Sequence, residues 1–342
     1  MTPPQGMPEN SMVFSADGGT EIRCLIAQLP SRKTFEVSPE DIRKHLREEC
    51  YLWLDIQRIK PEHDTWLTAV FGLHHLATED LHNEEVLPKV ERYDGTLFTV
   101  CDAVDWPSPE EPIGTINLNL FLAGRWLVTT HAKPLPIVTT LHDRLLKGSD
   151  LLAQGPDAVY HALLDGVIDG YLPALDRIDI LLERIERRML SPRAERGLER
   201  EIFAVRKRLL TLRRYVGPHR DVATALLAYQ GEVVRPETRL HLRDVLDHTL
   251  HILDATERYR DLLNGAMECY LMQLSHRTNE SMRTLSAVAT VLLPLSLIAG
   301  IYGMNFDRLP GARHPWGFWM MLGVMGAVAG GLLWFFRRKR WL

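Results

Sequence analysis

The sequence predicts an α+β membrane protein, with a cytosolic α/β domain, a long helical stalk and two C-terminal transmembrane helices. Three observations carry this prediction. Residues 285–302 and 316–336 are apolar spans of about 18 and 21 residues. As helices each reaches about 27 to 32 Å, enough to cross a hydrocarbon core of about 30 Å. Upstream, no proline falls between Pro236 and Pro294, so one helix runs directly into the first span. Earlier still, short runs rich in β-branched and aromatic residues alternate with helical pieces, the pattern of an α/β domain.

Taken in order, residues 1–20 read as a disordered start, Pro-rich over Met1 to Asn10 and lacking the apolar centre of a signal peptide. Residues 21–150 form the α/β domain. Strands are expected at 23–29, 51–57, 97–105, 115–122 and 126–131. The last two flank Ala123-Gly124-Arg125 and read as a hairpin. Helical pieces are expected near 39–49 and 63–73. Residues 151–284 form the stalk. Its first segment, 157–190, repeats apolar residues at helical spacing (Leu164, Ile168, Leu172, Leu175, Ile178, Leu182, Ile185) and ends at Ser191-Pro192. A second helix spans 194–229, with an interruption near Gly217-Pro218. The third starts at Pro236 and extends about 60 residues, or about 90 Å. A helix of that length has no use inside a compact domain and reads as a stalk packed against copies of itself.

Net charge is only −4, which gives no argument for a nucleic-acid partner. Cys24, Cys50, Cys101 and Cys269 are scattered, without metal-ligand spacing, as expected of reduced thiols in the cytosol. Arg277 and Arg283 precede the first span, and Arg337-Arg338-Lys339-Arg340 follows the second. Basic flanks stay cytoplasmic, so both termini and the 337–342 tail are expected inside, and the 303–315 loop outside.

Steps of three and four residues from Gly265 select Glu268, Met272, Ser275, Asn279, Met282, Ser286, Ala289, Leu293, Ser296, Gly300 and Gly303. The heptad spacing winds helices around one another, but a self-sealing coiled coil would fill it with Leu and Ile. Here the positions are small, polar or Met. A ring of such helices would leave an axial path lined by hydroxyls, an amide and apolar collars. Small residues also let transmembrane helices pack closely. Seam chemistry alone leaves both readings open.

The string Arg277-Thr-Asn-Glu-Ser-Met-Arg-Thr-Leu285, followed by Leu293-Pro-Leu-Ser-Leu-Ile-Ala-Gly-Ile-Tyr-Gly-Met-Asn-Phe306, resembles the CorA family of divalent metal-ion transporters. The Gly303-Met304-Asn305 triplet, lying between two spans with a basic end, is similar to that family's signature. Thr78-Glu-Asp-Leu81, Pro88-Lys-Val-Glu91 and Arg243-Asp-Val-Leu-Asp-His-Thr249 extend the likeness into the cytosolic part, over residues 20–342. The resemblance implies a homopentamer with a funnel-shaped cytosolic part, five first spans around a pore, and Mg²⁺ as transported and regulatory ion without a prosthetic group. It assigns Gly303, Met304 and Asn305 to a selectivity filter, and Asn279, Met282, Leu285, Leu293 and Ser296 to the pore wall and gate. It places Leu285 where the heptad count places Ser286. It further implies a regulatory metal site between subunits, built from Glu79, Asp80, Asp165 and Asp244. The expected location is the inner membrane.

The chemistry suits Mg²⁺, which holds its waters tightly. A ring of amide oxygens can bind those waters without stripping them, and weakly enough to release the ion. One departure is the loop Leu309-Pro-Gly-Ala-Arg-His314, where relatives carry acids and where Asp307 is here the sole acid. In this it resembles the zinc-transporting ZntB branch, whereas Met304 and Phe306 fit the magnesium branch.

His74, His75, His82 and the set His241, His248 and His251, which shares a helix face with Asp244, suggest zinc or else a solvated or subunit-contact face. The acids Asp165, Asp169, Asp176, Asp179, Glu183 and Glu186 read mainly as a solvated face, and the basic run over 206–214 as a solvated helix face or the partner of that acidic one rather than a nucleic-acid site. No HExxH, CxxC or phosphate-binding glycine loop is present, so no enzyme chemistry is expected. A reading of another class is a non-transporting protein tethered by its two spans. A tether requires neither Asn305 nor a polar seam.

Overall fold

The computed structural model describes residues 19–46, 48–83, 86–189, 197–304 and 314–339. It divides into two units, Met1–Ile185 with Arg200–Leu263, and Glu186–Glu199 with Asn264–Leu342.

The first unit opens on a seven-stranded mixed sheet. Its strands are β1 (Glu21–Gln28), β2 (Lys33–Glu36), β3 (Cys50–Gln57), β4 (Lys89–Tyr93), β5 (Thr96–Asp105), β6 (Gly114–Leu122) and β7 (Trp126–His131), in the order β2-β1-β3-β7-β6-β5-β4. Among the described residues only β3 and β7 pair in parallel, with Leu52 opposite Trp126 and Gln57 opposite His131. The β6–β7 hairpin closes over Ala123 to Arg125 as expected.

Alternation along the strands creates two apolar faces. Leu52, Leu54, Ile56, Phe98, Val100, Phe121 and Val128 point to one. It is covered by α1 (Ile42–His45), α2 (Pro61–Phe71) and α3 (His75–Asp80) through Ile42, Leu67, Phe71 and Ala77. The other face meets α4 (Pro136–Leu146), α5 (Leu151–Gln154) and α6 (Pro156–Asp169). There the Tyr160 hydroxyl lies 2.7 Å from Thr99 Oγ1, deep in the core. The helical piece expected over 39–49 is shorter: a 3-10 turn at Pro39–Asp41 leads into α1.

Three corrections concern the helices and the sheet edges. The single helix expected over 157–190 is two, α6 and α7 (Leu172–Met189). Pro173 has no N–H to continue the ladder from Asp169. The break at Gly170 and Tyr171 lets the fully buried Tyr171 donate its hydroxyl to the Asp102 carbonyl, at 2.7 Å. The interruption expected near Gly217-Pro218 is absent, and α8 (Leu198–Ala228) continues through Pro218. Strands β2 and β4, at the two sheet edges, were not expected.

Helix α9 (Pro236–Tyr302) is one element of 67 residues, and α10 (Gly317–Arg338) follows. In the first unit the stalk helices pack through stripes at three- and four-residue steps. These are Leu175, Ile178, Leu182 and Ile185 on α7, Ile202, Val205, Leu209, Leu212 and Val216 on α8, and Leu242, Val245, Thr249, Ile252 and Thr256 on α9.

Two polar fastenings fix this arrangement. Asp157, only 2% exposed, pairs with Arg235 at 2.8 Å. It also accepts the Arg235 backbone N–H at 3.1 Å and the Thr238 hydroxyl at 2.6 Å, so α6 caps the start of α9. His219 on α8 donates Nδ1–H to the Tyr215 carbonyl and accepts the Asp102 backbone N–H at Nε2, at 2.9 and 3.1 Å. Burial holds its pKa down to about 4, so the ring is neutral near pH 7, and burial raises the Asp102 carboxyl to about 6.

Candidate pore and cation sites

The last part of α9, together with α10, is long and apolar enough to cross a membrane, and almost none of that surface is shielded by the chain itself. A patch of this size requires lipid or copies of the chain. The Ser191-Pro192 stop, the loop residues Asn305, Phe306, Asp307 and Arg313, and the tail residue Arg340 lie outside the described residues. Gly303 and Met304 are described. Their amides close the end of α9 on the carbonyls of Ala299 and Ile301, at 2.9 and 3.3 Å.

The phase of the first span can be read from what the chain covers. At about 100° per residue, its shielded positions, Ala287, Val291, Pro294, Leu295 and Ile298, share an arc of roughly 100°. Asn279, Met282, Leu285, Leu293 and Ser296 are exposed, and lie in an arc of roughly 120° on the opposite side. Ser286, Ala289 and Gly300 fall in that arc as well. Leu285 and Ser286 therefore belong to one face, and the two assignments differ only in which lies nearer its centre. On α10, Gly317, Met321, Met325, Val328, Ala329, Leu332 and Phe336 form the covered stripe.

In the first unit, Asp165 and Asp169 on α6 approach His248 on α9. Their Oδ1 atoms lie 3.7 and 3.3 Å from its Nδ1. Burial, reinforced by the charge of Asp169, raises the Asp165 pKa. The charge of Asp244 reaches the same group, so the two acids assigned from α6 and α9 share one neighbourhood. His161, one turn before Asp165, was not anticipated. Its ring lies 5.4 Å from that of His241, and burial lowers its pKa. The recurrence of His161, Asp165 and Asp169 at four-residue steps was the available signal. Glu79 and Asp80 sit elsewhere, at the end of α3. Asp80 is held by Lys89 at 2.7 Å, and Glu79 is exposed.

A layered α/β unit, a 67-residue helix ending in an apolar span, and a second apolar helix define a two-span integral membrane protein. Residues 48–338 match the family described as CorA-like Mg²⁺ transporter protein, and the chain belongs to that family. It is 31% identical to the cobalt/magnesium transport protein CorA of Thermotoga maritima, over 99% of this chain and 97% of that protein. It is 28% identical to the zinc transport protein ZntB of Cronobacter sakazakii, over 85% and 88% of the two chains. The fold is that of the solved CorA magnesium transporter of Methanocaldococcus jannaschii, with a TM-score of 0.80 at 22% identity over 94% of this chain and 98% of that one. The chain is thus a CorA-type divalent cation transporter.

Proposed function

We propose that the chain works as a homopentameric channel of the inner membrane that imports Mg²⁺, with Co²⁺ and Ni²⁺ as further cargo, and that cytosolic Mg²⁺ closes it. The carrying observation is the phase of α9: the small and polar face lies opposite the face its own chain covers, and is free to line an axis shared with copies. Residues 21–150 and 151–284 then form the cytosolic part, with 285–302 lining the pore, 303–315 outside, 316–336 facing lipid, and both termini cytoplasmic.

In this reading Gly303, Met304 and Asn305 form the outer filter, where amide oxygens hold the hydration shell of Mg²⁺. Asn279 and Ser296 continue the polar path. Met282, Leu285 and Leu293 form collars that stop a hydrated ion by dewetting. The membrane potential supplies about 2.3 kcal/mol per charge per 100 mV, or about 4.6 for a divalent cation. Glu79, Asp80, Asp165 and Asp244 meet across subunit boundaries. Their mutual repulsion is turned into attraction by a hydrated Mg²⁺.

A second reading, Zn²⁺ transport, draws on Arg313 and His314 in place of loop acids and on the ZntB relatives. Uptake of Mg²⁺, Co²⁺ and Zn²⁺ into proteoliposomes decides between the two. Mg²⁺ is expected to enter fastest, and Asn305→Ala to abolish its entry while assembly persists. Near wild-type flux in that variant refutes the filter, and faster Zn²⁺ than Mg²⁺ entry establishes the second reading.

A further inference from the structure

We infer that the α/β domain holds a binding site for a small hydroxylated organic anion, carrying a carboxylate or a phosphate, at the carboxyl ends of β3 and β7. A cavity of about 380 Å³ opens there. The two strands run parallel, and each has an antiparallel neighbour on its other side. Ligands of open α/β sheets bind at such ends, and the volume is that of a small-molecule pocket. The strand rows explain why the helices leave it open. Side chains two residues apart share a face. On the face covered by α1 to α3, β3 runs Leu54, Ile56 and on to Arg58, β7 runs Val128, Thr130, and β6 runs Phe121, Asn119, Asn117. Each row turns from apolar to polar at the same end, so an apolar helix face gains nothing by covering it. Arg58, Asn117, Asn119 and Thr130 line the cavity beside the aliphatic Leu81 and Ile116.

The wall selects the guest. Asn119 is only 5% exposed, and its Nδ2 donates to Thr130 Oγ1 at 3.2 Å. Asn117 Nδ2 donates to the Val86 carbonyl at 2.8 Å. Both amides are thus held by their nitrogens, and their oxygens are left to accept, which suits guest hydroxyl groups. Among the described residues no Phe, Tyr or Trp lines the cavity, so a nucleobase finds no ring to stack on. Lys133 and His82 are tied to Asp105 and Asp64, at 3.4 and 2.8 Å, and the His131 ring lies 3.3 Å from Asp55. Arg58 has no carboxylate partner among the described residues, and its backbone is left-handed at φ +58°, where glycine would cost less. Its amide donates to the His131 carbonyl at 2.8 Å, and its carbonyl accepts the Thr20 hydroxyl at 3.0 Å. A guanidinium fork set there matches a carboxylate or phosphate through two parallel bonds. Among the described residues no Asp or Glu lines the cavity, and Asp102, opposite Asn117 on β5, lies outside its lining.

The site does not rest on the proposed Mg²⁺ sensor, none of whose acids lines the cavity. Full-length protein in detergent micelles, in EDTA and low salt, is titrated calorimetrically with glucose 6-phosphate and with gluconate. Glucose and inorganic phosphate serve as probes that each lack half of the guest. One saturable site per chain is expected for at least one of the two organic anions, with both half-guests weaker by about tenfold or more. Tighter binding of glucose 6-phosphate assigns the phosphate as the recognised head, and tighter binding of gluconate assigns the carboxylate. Arg58→Gly relieves the left-handed backbone and removes the fork. It should weaken binding about tenfold or more while melting at no lower a temperature than wild type. Asn119→Asp, nearly isosteric, sets a charge against the anion and should weaken it likewise. Absence of saturable binding of both organic anions overturns the site. So does unchanged affinity in a folded Arg58→Gly, or glucose binding as tightly as either anion.

Discussion

Asp157 is a carboxylate withdrawn from water and repaid by Arg235, Thr238 and a backbone N–H at the start of α9. Removing one partner of such a buried pair leaves the other uncompensated, at about 3 to 5 kcal/mol. Arg235 is partly exposed and can turn to solvent, so the lower end of that range applies. Asp157→Ala should therefore cost about 3 kcal/mol and lower the thermal midpoint of the detergent-solubilised protein by several degrees. Asp157→Asn, which keeps the capping geometry without the charge, should cost less. Equal melting of Asp157→Ala and wild type would show that the cap is not what holds α6 to α9.

At the scale of elements, α8 meets β5 where the His219 ring accepts the Asp102 backbone N–H, and the buried His219 ring and Asp102 carboxyl titrate in opposite senses. The His219 pKa is held down to about 4, so the unfolded chain takes up this proton first, and stability falls as pH drops from about 6.5 to 4. The Asp102 pKa is raised to about 6, so the folded chain takes up that proton first, and stability rises as pH drops from about 6 to 4. Each effect reaches at most about 3 kcal/mol, so in the wild type they largely cancel. Asp102→Asn should expose the histidine term, with melting temperature falling steeply from pH 6 to 4. A pH profile identical to wild type would refute the pairing. Neither group could be read from the chain, because β5 and α8 are joined across more than a hundred residues. The five central strands were legible because each is a run of β-branched or aromatic residues. Strands β2 and β4 were not, since Lys33-Thr-Phe-Glu36 and Lys89-Val-Glu-Arg-Tyr93 carry the charges that protect sheet edges. Pro173 did signal the α6–α7 break, but the apolar repeat runs through it and masked it.

For the molecule as a whole, the proposed regulation depends on acids held close enough to repel. Asp244→Lys places a fixed positive charge where Mg²⁺ would sit, and Asp244→Asn weakens the site. Both should shift the Mg²⁺ dependence of protease protection of the cytosolic part. An unchanged midpoint in both variants removes Asp244 from the sensor. The exposed face of α9 was legible because heptad counting works along a continuous helix, and α9 has no break between Pro236 and Tyr302. The approach of His248 to Asp169 was not. Both were singled out, but only the packing of α6 on α9 brings them together.

The exposed face of α9 between Asn279 and Gly303 has one further property: it contains no side chain that gains or loses a proton near neutrality. Glu280 and Arg283 lie outside that arc. A conduit lined this way has no relay by which proton movement could do work on the cation, so transport is expected to be passive and reversible. A tenfold gradient is worth about 1.4 kcal/mol, and a divalent ion gains about 4.6 kcal/mol per 100 mV. Net flux should therefore reverse near 30 mV per decade of Mg²⁺ gradient, whatever the pH difference across the bilayer. A reversal potential that moves with an imposed pH gradient would mean that protons travel with the cation.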